Sequence, residues 1–165
     1  MKVQSLISKV RTLSDCEVYP PSKVPQVVEG CKIPIDLLEF YKVCGGLSLY
    51  MNSDYAIHIV SYKEFVLANP VIVGERCEYD ISSDWYIAAR DDNGDYLTID
   101  LNPSRLGRCY DSFWDRHGVP GECSIIATSF MDLLEKLINN KGNEWYWMQD
   151  DFKSLGDAYD GVDIE

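Results

Sequence analysis

The sequence predicts one globular domain that mixes helices with strands. Three observations lead there. Apolar residues recur at helical spacing in two places, Val3, Leu6, Ile7, Val10 and Leu13, and then Phe130, Leu133, Leu134, Leu137 and Ile138. Between them, residues 84–101 read DWYIAARDDNGDYLTIDL, with strand-like runs on both sides of Asn93-Gly94, a strong hairpin signal. The chain has 165 residues, 46% hydrophobic and 25% charged, the size and composition of a single folded unit.

The first amphipathic helix spans residues 2–13. Residues 14–32 contain Pro20, Pro21 and Pro25 with little periodicity and read as a loop, with a short helix near 24–29. Ile33-Pro34 starts a second helix, because a proline N–H would be unpaired in the first turn anyway. Asp36 suits the positive end of that helix. Gly45-Gly46 ends it, glycine adopting a left-handed cap at little cost. Residues 47–51 and 55–60 read as strands joined through Asn52-Ser53-Asp54. Ser61-x-x-Glu64 resembles a capping box, giving a short helix through Leu67 that Asn69-Pro70 breaks.

In the hairpin, pairing Asp92 with Asp95 sets Tyr86, Ala88 and Arg90 opposite Leu101, Ile99 and Leu97. The other face then pairs Ile87 with Asp100, Ala89 with Thr98 and Asp91 with Tyr96. Residues 107–114 read as the next strand, 115–123 as a loop and 124–127 as a short strand. Thr128 or Ser129 caps the last helix.

Charge narrows the function. The net charge is −12, distributed as +1 over residues 1–46, −7 over 47–143 and −6 over 144–165. An acidic surface repels phosphate backbones, which argues against nucleic acid as a partner. The same field speeds association with a basic protein. No charged-then-apolar leader and no membrane-length apolar run occur, so the expectation is a cytoplasmic protein without a signal peptide. Cys16, Cys31, Cys44, Cys77, Cys109 and Cys123 contain no CxxC and read as reduced, mostly buried thiols.

Asp91, Asp92, Asp95 and Asp100 crowd the hairpin. An EF-hand loop counted from Asp91 fails, since position 6 is Tyr96 and position 12 is Asn102. Acid–base work by paired carboxylates needs burial to split their pKa values, and a solvated turn offers none. His117 reads as a surface loop residue. His58, alternating with Ile57 and Ile59, points away from them, toward solvent. No catalytic set, metal site or cofactor motif emerges. What remains is aromatic–acidic mixing, Trp85 beside Asp84 and Trp114 beside Asp115, together with Asp91, Asp92 and Asp95. Such mixing suits recognition, the rings giving rigid contact area and the acids steering.

Four segments together resemble one family. IPIDLLEFYKVCGG is similar to the proline-started helix of the SUKH superfamily, the fold of the SMI/KNR-type cell-wall-synthesis regulator and of many bacterial immunity proteins. WYIAARDDNGDYLTIDL resembles its central hairpin, GRCYDSFWDRH its following strand and SIIATSFMDLLEKLI its closing helix. The resemblance covers about residues 33–139. Cys44 departs from the asparagine common before the glycine pair, the loop around His117 is longer, and nothing matches after Asn140.

The resemblance implies an α+β domain, a mainly antiparallel sheet with helices packed on one side. That domain would span 1–142, with 143–165 as an acidic, aromatic extension at least partly packed on it. Pro34, Gly45, Gly46, Asn93, Gly94, Ser129 and Phe130 match family positions of structural type. The resemblance also implies a binding module and not an enzyme. The expected role is an immunity-type protein that masks a basic toxin domain through Trp85, Asp91, Asp92, Asp95, Trp114 and Asp115. The alternative is a regulatory scaffold of the cell-wall type.

Overall fold

The computed structural model describes residues 2–162. The elements run α1 (Lys2–Arg11), β1 (Glu17–Tyr19), α2 (Ile35–Val43), β2 (Gly46–Leu49), β3 (Ile57–Ile59), α3 (Ala68–Ile72), β4 (Trp85–Arg90), β5 (Tyr96–Asp100), β6 (Cys109–Ser112), β7 (Ile125–Ala127) and α4 (Phe130–Asn140). The seven strands form one sheet in chain order, each antiparallel to the next. This is an α+β fold.

Opposed residues of an antiparallel ladder share a face, so the register sorts the side chains. One face carries Leu47, Ile59, Ala89, Leu97, Ile99, Cys109 and Ala127. Helices α1, α2 and α4 pack against one another and bring Val3, Ile7, Val10, Phe40, Tyr41, Phe130, Leu133 and Leu134 into the same core. Phe40 meets Phe130 edge-on at 5.0 Å between ring centroids. Tyr41 meets Phe65, which stacks on Tyr86. The other face carries Ser48, His58, Arg90, Tyr96, Ser112, Thr98 and Tyr110. Loops cover its far half, and its near half stays open.

The helix ends follow from local chemistry. Ser129 Oγ accepts the Asp132 N–H at 3.0 Å, and Asp132 in turn accepts the Thr128 N–H. Asp36 accepts the Met131 N–H and so joins α2 to the start of α4. Pro34 precedes α2 in an extended conformation. Contrary to the predicted left-handed cap, α2 ends at Cys44 with extended backbone, and Gly45 does not have positive φ. The glycine pair is needed for close approach instead. A Cβ on Gly45 would lie 2.3 Å from the Pro20 carbonyl oxygen, and one on Gly46 2.7 Å from that of Ile59.

Several expectations are corrected. Residues 14–32 hold β1 and no helix; three residues gain strand geometry only by pairing with β2. The short helix begins after Leu67 and contains Asn69 and Pro70, since a proline in a first turn sacrifices no hydrogen bond. The hairpin register also shifts. Asp91 N–H donates to the Asp95 carbonyl, leaving Asp92, Asn93 and Gly94 as a three-residue loop in which Gly94 (φ 89°) has positive φ and Asn93 does not. A bulge at Ala88 then restores the alternation, so Tyr86 faces Ile99 and Ile87 faces Thr98.

Residues 143–162 lie along the domain. Trp147 is buried and donates Nε1–H to Asp111 Oδ2. Gly156 and Ala158 bond the backbone of Ile125 and Cys123 alongside β7. Tyr159 donates its hydroxyl to Asp80 at 2.7 Å.

Candidate partner-binding surface

Two groups of side chains meet at the tip of the β4–β5 hairpin. Asp91 builds the tip: its Oδ1 accepts the N–H groups of Asn93 (2.9 Å) and Asp95 (2.8 Å). Asp91 is buried, contrary to the solvated turn expected for it, because the shifted register turns it inward. Asp95 Oδ1 accepts the Trp114 N–H at 3.0 Å and ties the tip to the loop after β6. Trp114 itself is 79% exposed. Asp115 is exposed beside Arg116 at 3.7 Å. Asp92, Asp95, Trp114 and Asp115 thus form one acidic edge with a solvent-facing indole at its centre.

Trp85 does not join them. It is fully buried, donates Nε1–H to Asp100 Oδ2 at 3.1 Å and stacks on Tyr110 at 4.1 Å. Its place on the covered half of the sheet was hidden in sequence because His117 and Tyr159, which lie against it, are distant along the chain. His117, expected at the surface, is buried edge-on against Trp85, with Nε2 2.6 Å from Asn69 Oδ1. Asn69 uses its amide hydrogens on Arg76 and Ser82, so Oδ1 accepts and His117 Nε2–H donates. Burial, opposed by the nearby Asp80 charge, lowers the His117 pKa to about 4. Asp111, under the same loop, is pushed up by burial while its bond to Arg116 at 2.6 Å pulls it down.

The second group is a hydrogen-bonded row across the open half of the sheet. His58 Nε2 lies 2.7 Å from Asp92 Oδ1, His58 Nδ1 2.7 Å from Ser48 Oγ, and Ser48 Oγ 2.7 Å from Tyr19 Oη. Registers Glu17–Ser48 and Ser48–His58 place these residues on one face. His58 is therefore a clamped residue and not a plain solvent-face one. The row borders a cleft of about 510 Å³ that also includes Leu47, Met51, Tyr62, Lys63, Glu64 and Arg90. Arg90 Nε and Glu64 Oε2 are 3.5 Å apart. Ser48, His58 and Asp92 contain the residue types of a nucleophilic triad, but Ser48 is 2% exposed and its oxygen already bonds Tyr19. It relays a hydrogen bond and offers no accessible attacking oxygen.

The sequence reading missed Tyr19, Ser48, Glu64 and Arg90. A usable signal existed: Ser48 and His58 are each flanked by apolar residues within strands, and their one shared face is the polar one. Among the described residues no cluster of three or more His, Cys, Asp or Glu is arranged to hold a metal ion, and no helix is long and apolar enough to cross a membrane. The six cysteines are free thiols, with Cys44, Cys109 and Cys123 buried and Cys16, Cys31 and Cys77 half-buried.

The sequence itself matches a known family model over most of the domain. Residues 26–136 match the SMI1/KNR4 family (SUKH-1), and the chain belongs to that family. Over all 165 residues it is 55% identical to the Bacillus subtilis (strain 168) protein named Immunity protein YokJ, covering 100% of both chains. No solved structure matches.

Proposed function

We propose that this chain is an immunity-type protein that binds and neutralises a toxin domain without chemistry of its own. The observation that carries this is the 55% identity, end to end, to a protein named as an immunity protein. The regulatory-scaffold alternative has only the wider family behind it. The acidic edge of Asp92, Asp95, Trp114 and Asp115 supports a basic partner, which a net charge of −12 would steer in. Residues 1–142 form the binding domain in this reading, residues 143–165 an acidic, aromatic extension at least partly packed on it, and the setting is the cytoplasm.

The test is co-expression with a candidate toxin domain taken from the neighbouring genes, scored as growth, followed by binding kinetics of the purified pair. Protection together with a stable 1:1 complex supports the reading. Growth arrest despite soluble expression, with no complex, refutes it.

A further inference from the structure

We propose that a cavity beside His117 receives a lysine ammonium of the protein partner. The cavity holds about 390 Å³. His117 and Asn69 are its buried floor, and the exposed side chains of Val73 and Tyr79 are its rim. Glu75 and Asp80 are the charged residues that line it, and among the described residues no lysine or arginine joins them. Arg76 is engaged elsewhere: it bonds Asp84 and the Ser83 carbonyl and comes within 3.8 Å of Glu78. The donors already in the lining are spent. The Asn69 amide hydrogens go to the Arg76 carbonyl and to Ser82 Oγ. Ser82 gives its hydroxyl hydrogen to Asp80, the Cys77 thiol lies toward Glu75, and the Tyr79 hydroxyl pairs with Cys77.

Acceptors are left over. The Arg76 carbonyl can only accept, which fixes the orientation of the Asn69 amide and makes Asn69 Oδ1 the acceptor of His117 Nε2–H. With Nε2 carrying the hydrogen, a proton on Nδ1 would leave a charged, buried donor without an acceptor. Burial accordingly lowers the His117 pKa to about 4, and the ring is neutral at pH 7. Nδ1 is then a buried lone pair with no partner, and it is the polar atom that His117 has left for the cavity. Asp80 takes its side-chain bonds, from Ser82 and from the Tyr159 hydroxyl, on Oδ2 and keeps Oδ1 open. Glu75 adds a second carboxylate. An ammonium brings three hydrogens and one positive charge to these groups, and its aliphatic stem would lie on Val73 and Tyr79. An anion would meet two carboxylates, and an uncharged hydroxyl would leave both charges uncompensated. For the partner as the source, the inference rests on the immunity reading and on position: His117 N–H bonds the Phe113 carbonyl across the same turn that displays Trp114 and Asp115.

The experiment uses the full chain and two readouts. In the first, n-butylammonium is the probe at neutral pH, with n-butanol and sodium acetate as controls at equal ionic strength, followed through the His117 and Tyr79 ring signals. A saturable shift in the millimolar range with n-butylammonium, weakened severalfold by Glu75→Gln, is expected, with no saturable shift from either control. In the second, Glu75→Gln and Tyr79→Ala are tested in the toxin complex, with an expected rise of about tenfold in dissociation rate. Both residues are exposed, and an unchanged melting temperature serves as the folding check. n-Butylammonium without effect, or a control acting equally, overturns the ammonium site while leaving the immunity reading in place. Saturation by n-butylammonium with unaltered dissociation in both variants overturns the partner's lysine as occupant and assigns the cavity to a free amine. Absence of any complex overturns the immunity reading, and with it the occupant assigned here.

Discussion

His58 bridges two strands and a hairpin tip: its Nε2 lies 2.7 Å from Asp92 Oδ1 and its Nδ1 2.7 Å from Ser48 Oγ. The carboxylate fixes the tautomer. At alkaline pH, long-range proton–nitrogen correlation spectra should show protonated Nε2 and bare Nδ1. In Asp92→Ala the acceptor is gone and the two tautomers should mix. An unchanged Nε2–H signal in that variant would show that Asp92 does not set the tautomer.

The two tryptophans at the ends of this region should separate stability from recognition. Trp85 is buried on Tyr110 and bonded to Asp100, so Trp85→Ala should cost about 3–5 kcal/mol of stability by denaturant unfolding. Trp114, mostly in water, should change stability by less than ~0.5 kcal/mol when replaced by alanine. The same Trp114→Ala change should weaken the toxin complex by about 2 kcal/mol if the indole is an anchor.

Reversing charge at the tip should act on encounter. Asp92→Lys with Asp95→Lys should slow association with a basic toxin domain and flatten the dependence of that rate on salt, leaving dissociation less affected. Stopped-flow mixing at two ionic strengths measures both; an unaltered rate and slope would remove the tip from the contact surface.

His117 gives a signed pH effect. Its folded pKa of about 4 lies below the ordinary 6.5, so the unfolded chain binds an extra proton between these values. The contribution is fully present above pH 6.5 and is lost as pH falls toward 4, about 3 kcal/mol in all. Urea unfolding across this window should therefore show stability falling with pH, and His117→Gln, which keeps a donor for Asn69, should flatten that fall.

The thiols should react in an order set by burial. Burial pushes Cys44 to about 11, Cys123 to about 12 and Cys109 well above its ordinary value. Native labelling followed by mass spectrometry should modify half-buried Cys77 first and leave these three intact until the protein is unfolded.

Much of this architecture was legible in the sequence because it is written in periodicity. The apolar stripes of α1 and α4 appear as read, and of the two cap residues read for α4, Thr128 or Ser129, Ser129 is the cap. What escaped is set by contacts distant in sequence. β1 is three residues long and exists through β2. The bulge at Ala88 breaks the alternation on which any register assignment depends, and Trp85 is buried because His117 and Tyr159, both distant in sequence, lie against it. At the site, the exposed acids and Trp114 were readable as surface chemistry. The row from Tyr19 to Asp92 was not, because its four members come from three separate strands and a loop.

The backbone contacts of Gly156 and Ala158 with Ile125 and Cys123 have a consequence for crowding. They occupy hydrogen-bonding groups along the β7 margin, so a neighbouring chain finds fewer unpaired amides to template on there. The ladder's other margin is β1, three residues long, opened by Glu17 and followed at once by Pro20 and Pro21. Proline donates no amide hydrogen, and a charge resists stacking against its own copy. The sheet is thus sealed at one margin and truncated at the other, which guards a protein rich in strands against growing into a fibre.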